Sequence, residues 1–196
     1  MMKELRIPMI YQNGDYIGYG GNQDWFGDKW AQKAGCASVL ASNMYAYYIQ
    51  KDCFELEEFL RIMKMMFRYM TPGRMGYPFL YKFARTFVKI MAKDELYLKP
   101  LYQKKSKNHK HALSFVLEAL NNEHPVGMLI LHHRAKELED DNWHWICISG
   151  YIEKENGYDL IFSDCGQRRI IDARILLDTD YHNVFKMVRM EKDPTK

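Results

Sequence analysis

The stretch from Gly35 to Gln50 constrains this chain more than any other. Val39, Leu40, Asn43, Met44, Tyr47 and Tyr48 recur at steps of three and four, which is a helical period. No glycine or proline interrupts the run from Cys36 to Gln50. Gly35 sits immediately before it and lets the backbone turn into the first helical residue. A cysteine opening a helix lies near N–H groups that have no intrahelical partner, at the positive end of the helix dipole. Both features favour thiolate over thiol, and the thiolate is the nucleophile. The competing reading is that Cys36 is a small buried residue that happens to follow a glycine.

A cysteine nucleophile needs a base that is its neighbour in space rather than in sequence, and His144 is the candidate. The chain of 196 residues fits one domain, taken here as 1–196, with a helical part over about 22–122 and a sheet part over about 125–190. Its hydrophobic content of 47% and charged content of 27% are those of an ordinary globular protein. A formal charge of +3 argues for neither nucleic acid nor membrane as a partner. The basic cluster Lys104–Lys110 reads as a solvated loop. The charged N-terminus lacks the apolar core of a signal peptide, and no run approaches a membrane span. The cysteines at 36, 53, 147 and 165 have no Cys-x-x-Cys spacing, so zinc-ribbon and thioredoxin motifs are absent and a reducing cytoplasm is expected.

In chain order, Met9–Gln12, Asn13-Gly14 and Asp15–Ile17 read as a hairpin. Gly18 to Gly35 is irregular, with Trp25, Phe26 and Trp30 pinning it to the core. Asp52, followed by Glu55, predicts a capped helix start leading into Phe54–Met70, which stops at Thr71-Pro72-Gly73. Further helices are expected over about 79–93 and 111–121, so the first hundred residues should be mainly helical. From Pro125 onward the pattern changes. Strands are expected at 126–131, 143–152, 158–163, 169–172 and 184–190, arranged as an antiparallel meander. Helices first and sheet second predict an α+β domain.

In Trp143–Gly150, alternation places His144 on one strand face with Ile146 and Ile148, and Trp145 and Cys147 on the other. Both faces are apolar, so this strand should be central and covered on both sides. A histidine there needs a partner for a ring nitrogen, which a backbone carbonyl could supply as well as a carboxylate. If Ile152 pairs with Tyr158 across Glu153–Gly157, Asp164 lies opposite Ile146 and diagonal to His144, within side-chain reach. Asp164 would then hold Nδ1 and leave Nε2 for a thiol. A slip of one residue would move Asp164 to the other face. Cys147 and Cys165 lack the glycine-to-helix setting, and Cys165 is expected to face away from Asp164. No histidine, cysteine and carboxylate set has zinc spacing, so no metal or other cofactor is implied.

Gly-Cys opening an aromatic-rich helix, then His-Trp-Ile-Cys-Ile-Ser-Gly-Tyr, then Phe-Ser-Asp-Cys-Gly, resembles the papain superfamily. The resemblance looks closest to bacterial proteins similar to the double-glycine (bacteriocin-leader) cysteine peptidases. It implies a papain-like fold, a helical half packed on an antiparallel sheet, with Cys36, His144 and Asp164 as a triad. It also implies a glutamine upstream of the cysteine that helps stabilise an oxyanion. Gln23, in Asn22-Gln23-Asp24-Trp25-Phe26, is the first candidate and Gln32 the second. Ala37-Ser38 stands where relatives commonly carry Gly-Pro. The implied activity is that of a cysteine peptidase or amidase acting on a peptide or protein. The alternatives are a papain-like domain that binds peptide without turnover, and a structural domain whose Cys36 does not react.

Overall fold

The computed structural model describes residues 1–180 and 182–193. The first part contains strands β1 (Met2–Glu4), β2 (Met9–Gln12) and β3 (Asp15–Tyr19), then helices α1 (Lys29–Ala34) and α2 (Cys36–Tyr48). Strand β4 (Cys53–Glu55), helices α3 (Leu56–Tyr69) and α4 (Leu80–Met91), and strand β5 (Leu98–Gln103) follow. Helix α5 (His109–Asn121) leads into β6 (Val126–His132), β7 (His144–Lys154), β8 (Gly157–Asp164) and β9 (Gln167–Asp172). The short α6 (Ala173–Leu176) and β10 (Val184–Lys192) complete the order. The architecture is α+β, with helices packed on both faces of a large antiparallel sheet.

The sheet runs β5-β10-β6-β7-β8-β9, with β1 also paired to β7. Only β6 to β9 form the expected meander. Strand β10 returns to the far side of β6, and β5 and β1 join from the part of the chain expected to be mainly helical. A physical reason is visible in β7, which is eleven residues long. Strand β6 pairs with its first five residues, His144 to Ile148, and β1 continues the same edge at Gly150 to Ile152. Gly150 makes this possible, because a Cβ there would meet the Lys3 carbonyl oxygen at 2.5 Å.

As expected, β7 is covered on both sides. Trp145 and Cys147 pack with α2 and α4, while Ile146 and Ile148 pack with α5 and α6. Helix α2 is buried almost all round, which explains why its sequence is apolar on every side rather than on one stripe. Helices α3 and α4 are amphipathic, burying Phe59, Met63 and Met66 in one, and Phe83, Phe87 and Ile90 in the other. The methionines of α3 thus fill core, as such side chains usually do.

The Asn13-Gly14 hairpin forms as read, with both residues at positive φ. The capped start at Asp52 does not. Residues Cys53–Glu55 instead form β4, parallel to β2, and α3 begins after Glu55 with no side-chain cap. Pairing with β2 satisfies the backbone groups that a longer helix would have used, so tertiary context overrides the local capping signal. The irregular segment from Gly18 to Gly35 also contains α1, whose start Asp28 caps by accepting from the N–H groups of Trp30 and Ala31.

Candidate active site

Cys36 is the first residue of α2 and is 7% exposed. The preceding Gly35 has φ −84°, which any residue can adopt. The turn therefore does not require glycine for its dihedrals, contrary to the sequence reading. It requires glycine for space: a Cβ at Gly35 would lie 2.4 Å from the Ala31 carbonyl oxygen and 2.8 Å from the Phe26 ring. Helix α1 thus butts directly against α2, and the sulfur is carried at the helix mouth.

His144 opens β7 next to Trp143, which has φ +61° and is 52% exposed. The β7–β8 turn is tighter than expected: Lys154 pairs with Gly157, and Ile152 with Asp159 rather than Tyr158. That register alone would put Asp164 on the wrong face. A bulge at Ser149 restores it, since beyond the bulge Ile148 pairs with Phe162 and Cys147 with Ser163. Asp164 therefore falls beside Ile146 and diagonal to His144, and its Oδ1 accepts from Nε2 at 2.8 Å. The expected contact forms, but through Nε2 rather than Nδ1.

Three groups set the charge of this imidazole. Burial pushes its pKa down, but hydrogen bonding to Asp164, Cys165 and Cys36, with the charge interaction of Cys36, outweighs burial and holds it well above the usual histidine value. Asp164 feels the same balance in reverse. Burial raises its pKa, but His144 and Arg169 outweigh burial and hold it well below the usual carboxylate range. Arg169, on β9, donates from Nη1 to Asp164 Oδ2, and to both oxygens of Asp141 at 3.0 and 2.9 Å. Its Nη2 donates to the Glu137 carbonyl at 2.7 Å, and the guanidinium lies over the Phe162 ring. Burial, with the Asp164 charge, raises the pKa of Asp141.

Gln23 lines one small cavity together with Cys36, Asn43, His144, Ser163 and Cys165. Its side-chain Oε1 is buried without a hydrogen-bond partner among the described residues. Gln32 is engaged elsewhere: its Nε2 donates to the carbonyls of Asp24 and Phe26 at 3.1 and 2.7 Å, bracing the loop that carries Gln23. Asn43, two turns along α2 from Cys36, ties that loop to the sheet. Its Oδ1 accepts from Gly21 N–H at 2.9 Å and its Nδ2 donates to Ser163 Oγ at 3.1 Å. Ser163 Oγ in turn donates to the Tyr19 carbonyl at 2.7 Å. Gly20 has φ +76°, and a Cβ there would strike Ser163 Oγ at 2.3 Å.

The structure corrects one further expectation. Cys165 does not face away from Asp164; ligand atoms of His144, Asp164 and Cys165 all lie within 4.8 Å of one another, and Cys165 Sγ is 3.8 Å from His144 Nε2. The cause is the β8–β9 turn. Cys165 and Gly166 both take positive φ, so the strand alternation that predicted an outward sulfur no longer applies. Burial raises the pKa of the Cys165 thiol despite the neighbouring imidazole. A Ser-Asp-Cys-Gly sequence signals a turn, but its type is what rotates the sulfur inward. This trio is a poor cation site as it stands, because Nε2 and both Asp164 oxygens are committed to one another and to Arg169. Cys147 is sealed in the core, where burial pushes its thiol up to about 12.

The remaining histidines stay away from this cluster. His109 and His111 lie in the first turn of α5, His132 ends β6, and His133 is buried with Nδ1 accepting from Ala135 N–H. The carboxylate pair with Arg169 was missed in sequence, because Asp141 ends a run of acidic residues, 137–141, and nothing local sets it apart from its neighbours.

No family model matches the sequence, and no curated protein matches it. Among solved structures, the crystal structure of UfSP from C. elegans aligns with a TM-score of 0.48 and 9% sequence identity. The alignment covers 98% of this chain and 34% of that one, so this chain spans about a third of its length.

Proposed function

We propose that this chain is a papain-like cysteine peptidase or amidase, a single domain whose nucleophile is Cys36. The observation that carries the reading is the imidazole of His144. It is held on Nε2 by Asp164 at 2.8 Å, charged by its neighbours, and borders the same cavity as a cysteine at a helix mouth. An imidazolium beside a thiolate is the resting form such chemistry needs. The sulfur would attack a peptide or amide carbonyl, and His144 would pass the Nδ1 proton to the leaving amine. Water, activated by the now neutral imidazole, would then release the acyl group. Asp164 keeps the ring oriented. The Cys36 backbone N–H and the Gln23 amide would bind the oxyanion, Gln32 being occupied in the loop. The resemblance to double-glycine peptidases offers a leader-like peptide as the first substrate class to try.

One observation favours the second reading, a papain-like domain that binds a peptide or protein without turnover. The cavity at Cys36 measures about 10 Å³, room for about one water molecule. Turnover therefore requires the Gln23 loop or the Cys165 turn to move. Iodoacetamide labelling across pH separates the two readings. The enzyme reading expects fast labelling of Cys36 below neutral pH, lost on His144→Ala. Labelling of Cys36 only near the ordinary thiol pKa supports the binder, and no labelling of Cys36 in the native protein, while exposed Cys53 reacts, supports a structural cysteine.

A further inference from the structure

Helix α4 turns Phe83, Ala84, Phe87 and Ile90 into the core and leaves Tyr81, Lys82 and Arg85 outside. Phe79, just before the helix, is 59% exposed and Tyr81 42%. These residues form a groove of about 520 Å³, closed on its other side by Lys104 after β5 and Lys186 on β10. Four cations thus surround exposed aromatic surface, and no carboxylate of a described residue lines the groove. None of the four forms an ion pair with a described residue. Elsewhere on the surface compensation is common: Arg6 meets Asp52, Lys51 meets Glu58, Lys154 meets Asp159 and Arg168 meets Glu4. Lys105, Lys107 and Lys110, which follow Lys104 in the chain, are exposed as well.

We infer that this groove is a docking site for an acidic polypeptide segment. Cations without a carboxylate partner, Lys82 and Lys104 lying over the Tyr77 and Tyr81 rings, fit an extended chain whose carboxylates meet the lysines and arginine while an aliphatic side chain rests on Phe79. The same features fit nucleic acid less well. Single strands are held by free aromatic faces on which bases stack. The Tyr81 ring is already covered by Lys104 Nζ at 4.4 Å, and meets Tyr102 edge-on at 4.7 Å. A whole-chain formal charge of +3 supplies no long-range field for a polyanion. The inference does not depend on Cys36 being reactive.

The test uses the full chain carrying Cys36→Ser, so that no probe is consumed, and reads fluorescence anisotropy. The probes are a fluorescein-labelled glutamate-rich peptide with a central leucine, its glutamine counterpart, and an oligothymidylate of equal charge. The glutamate peptide is expected to bind, with affinity falling as salt rises, and the glutamine peptide to bind far more weakly. Lys82→Glu/Arg85→Glu should weaken binding about tenfold, as two attractive charges become repulsive. Phe79→Ser, outside the helix, should weaken it severalfold and provides a second variant if the charge reversal alters the thermal melt. Equal binding by the parent and both variants overturns the proposal. So does a glutamine peptide that binds equally, or an oligothymidylate that binds more tightly.

Discussion

Replacing Arg169 by methionine tests the electrostatics of the candidate site most directly. The guanidinium is the shared partner of two carboxylates, Asp141 and Asp164, whose side chains are only 6% and 7% exposed. Both accept from the same Nη1, so their nearest oxygens lie on the order of 5 Å apart, a repulsion of about 3 kcal/mol at an effective dielectric of about 20. Stranding buried charge by removing its partner typically costs about 3–5 kcal/mol. Arg169 is 29% exposed, so water can refill part of its place, which points to the lower end. We expect a loss of about 3 kcal/mol at pH 7 in urea unfolding. The pH dependence carries a sign. Without the guanidinium the folded pKa of Asp141, already raised, rises further and that of Asp164 moves up from its depressed value, so the penalty is greatest where both must be charged. The loss should therefore shrink as pH falls from 7 towards 5. Asp141→Asn on top of Arg169→Met should recover a large part of it. A loss below about 1 kcal/mol, equal at pH 5 and pH 7, would show that the guanidinium is not compensating two buried charges.

Other perturbations follow from the same geometry. In the native chain the raised pKa of His144 contributes stability that is complete below the unfolded value near 6.5 and is lost as pH rises through the folded value. Urea midpoints should accordingly decline on the alkaline side, and His144→Gln should flatten that decline; an unchanged slope counts against a charged imidazole. Cys165→Ser should leave fast alkylation of a single cysteine intact, whereas Cys36→Ser should abolish it, as mass spectrometry of the labelled peptides would show. Gly20→Ala combines a positive-φ strain with a collision at Ser163, and should cost about 2–3 kcal/mol in urea unfolding. Wild-type stability in that variant would mean that the Asn43 network does not fix the Gln23 loop.

The helical period after Cys36, the Asn13-Gly14 turn and the apolar alternation through His144 were legible in the residues, because each is written over a few neighbouring positions. So were the α+β class and the covering of β7 on both faces. What local pattern could not carry was register. The expected hairpin was one residue too loose, and Asp164 reaches the histidine face only because the bulge at Ser149 offsets the tighter turn. Which ring nitrogen meets the carboxylate, and the inward turn of Cys165, depend on backbone dihedrals at single residues that alternation does not encode. Asp141 and Arg169 lie 28 positions apart and look like solvated charges until the fold buries them around Asp164. Amino-acid order thus determined the long helices, the central strands and the residue types available for chemistry, but not β1, β4 or β5, which form by pairing with distant strands. Pairing between distant segments decided which of those side chains meet, because a contact between strands is set by hydrogen-bonded register and by burial, and neither belongs to any one stretch of chain.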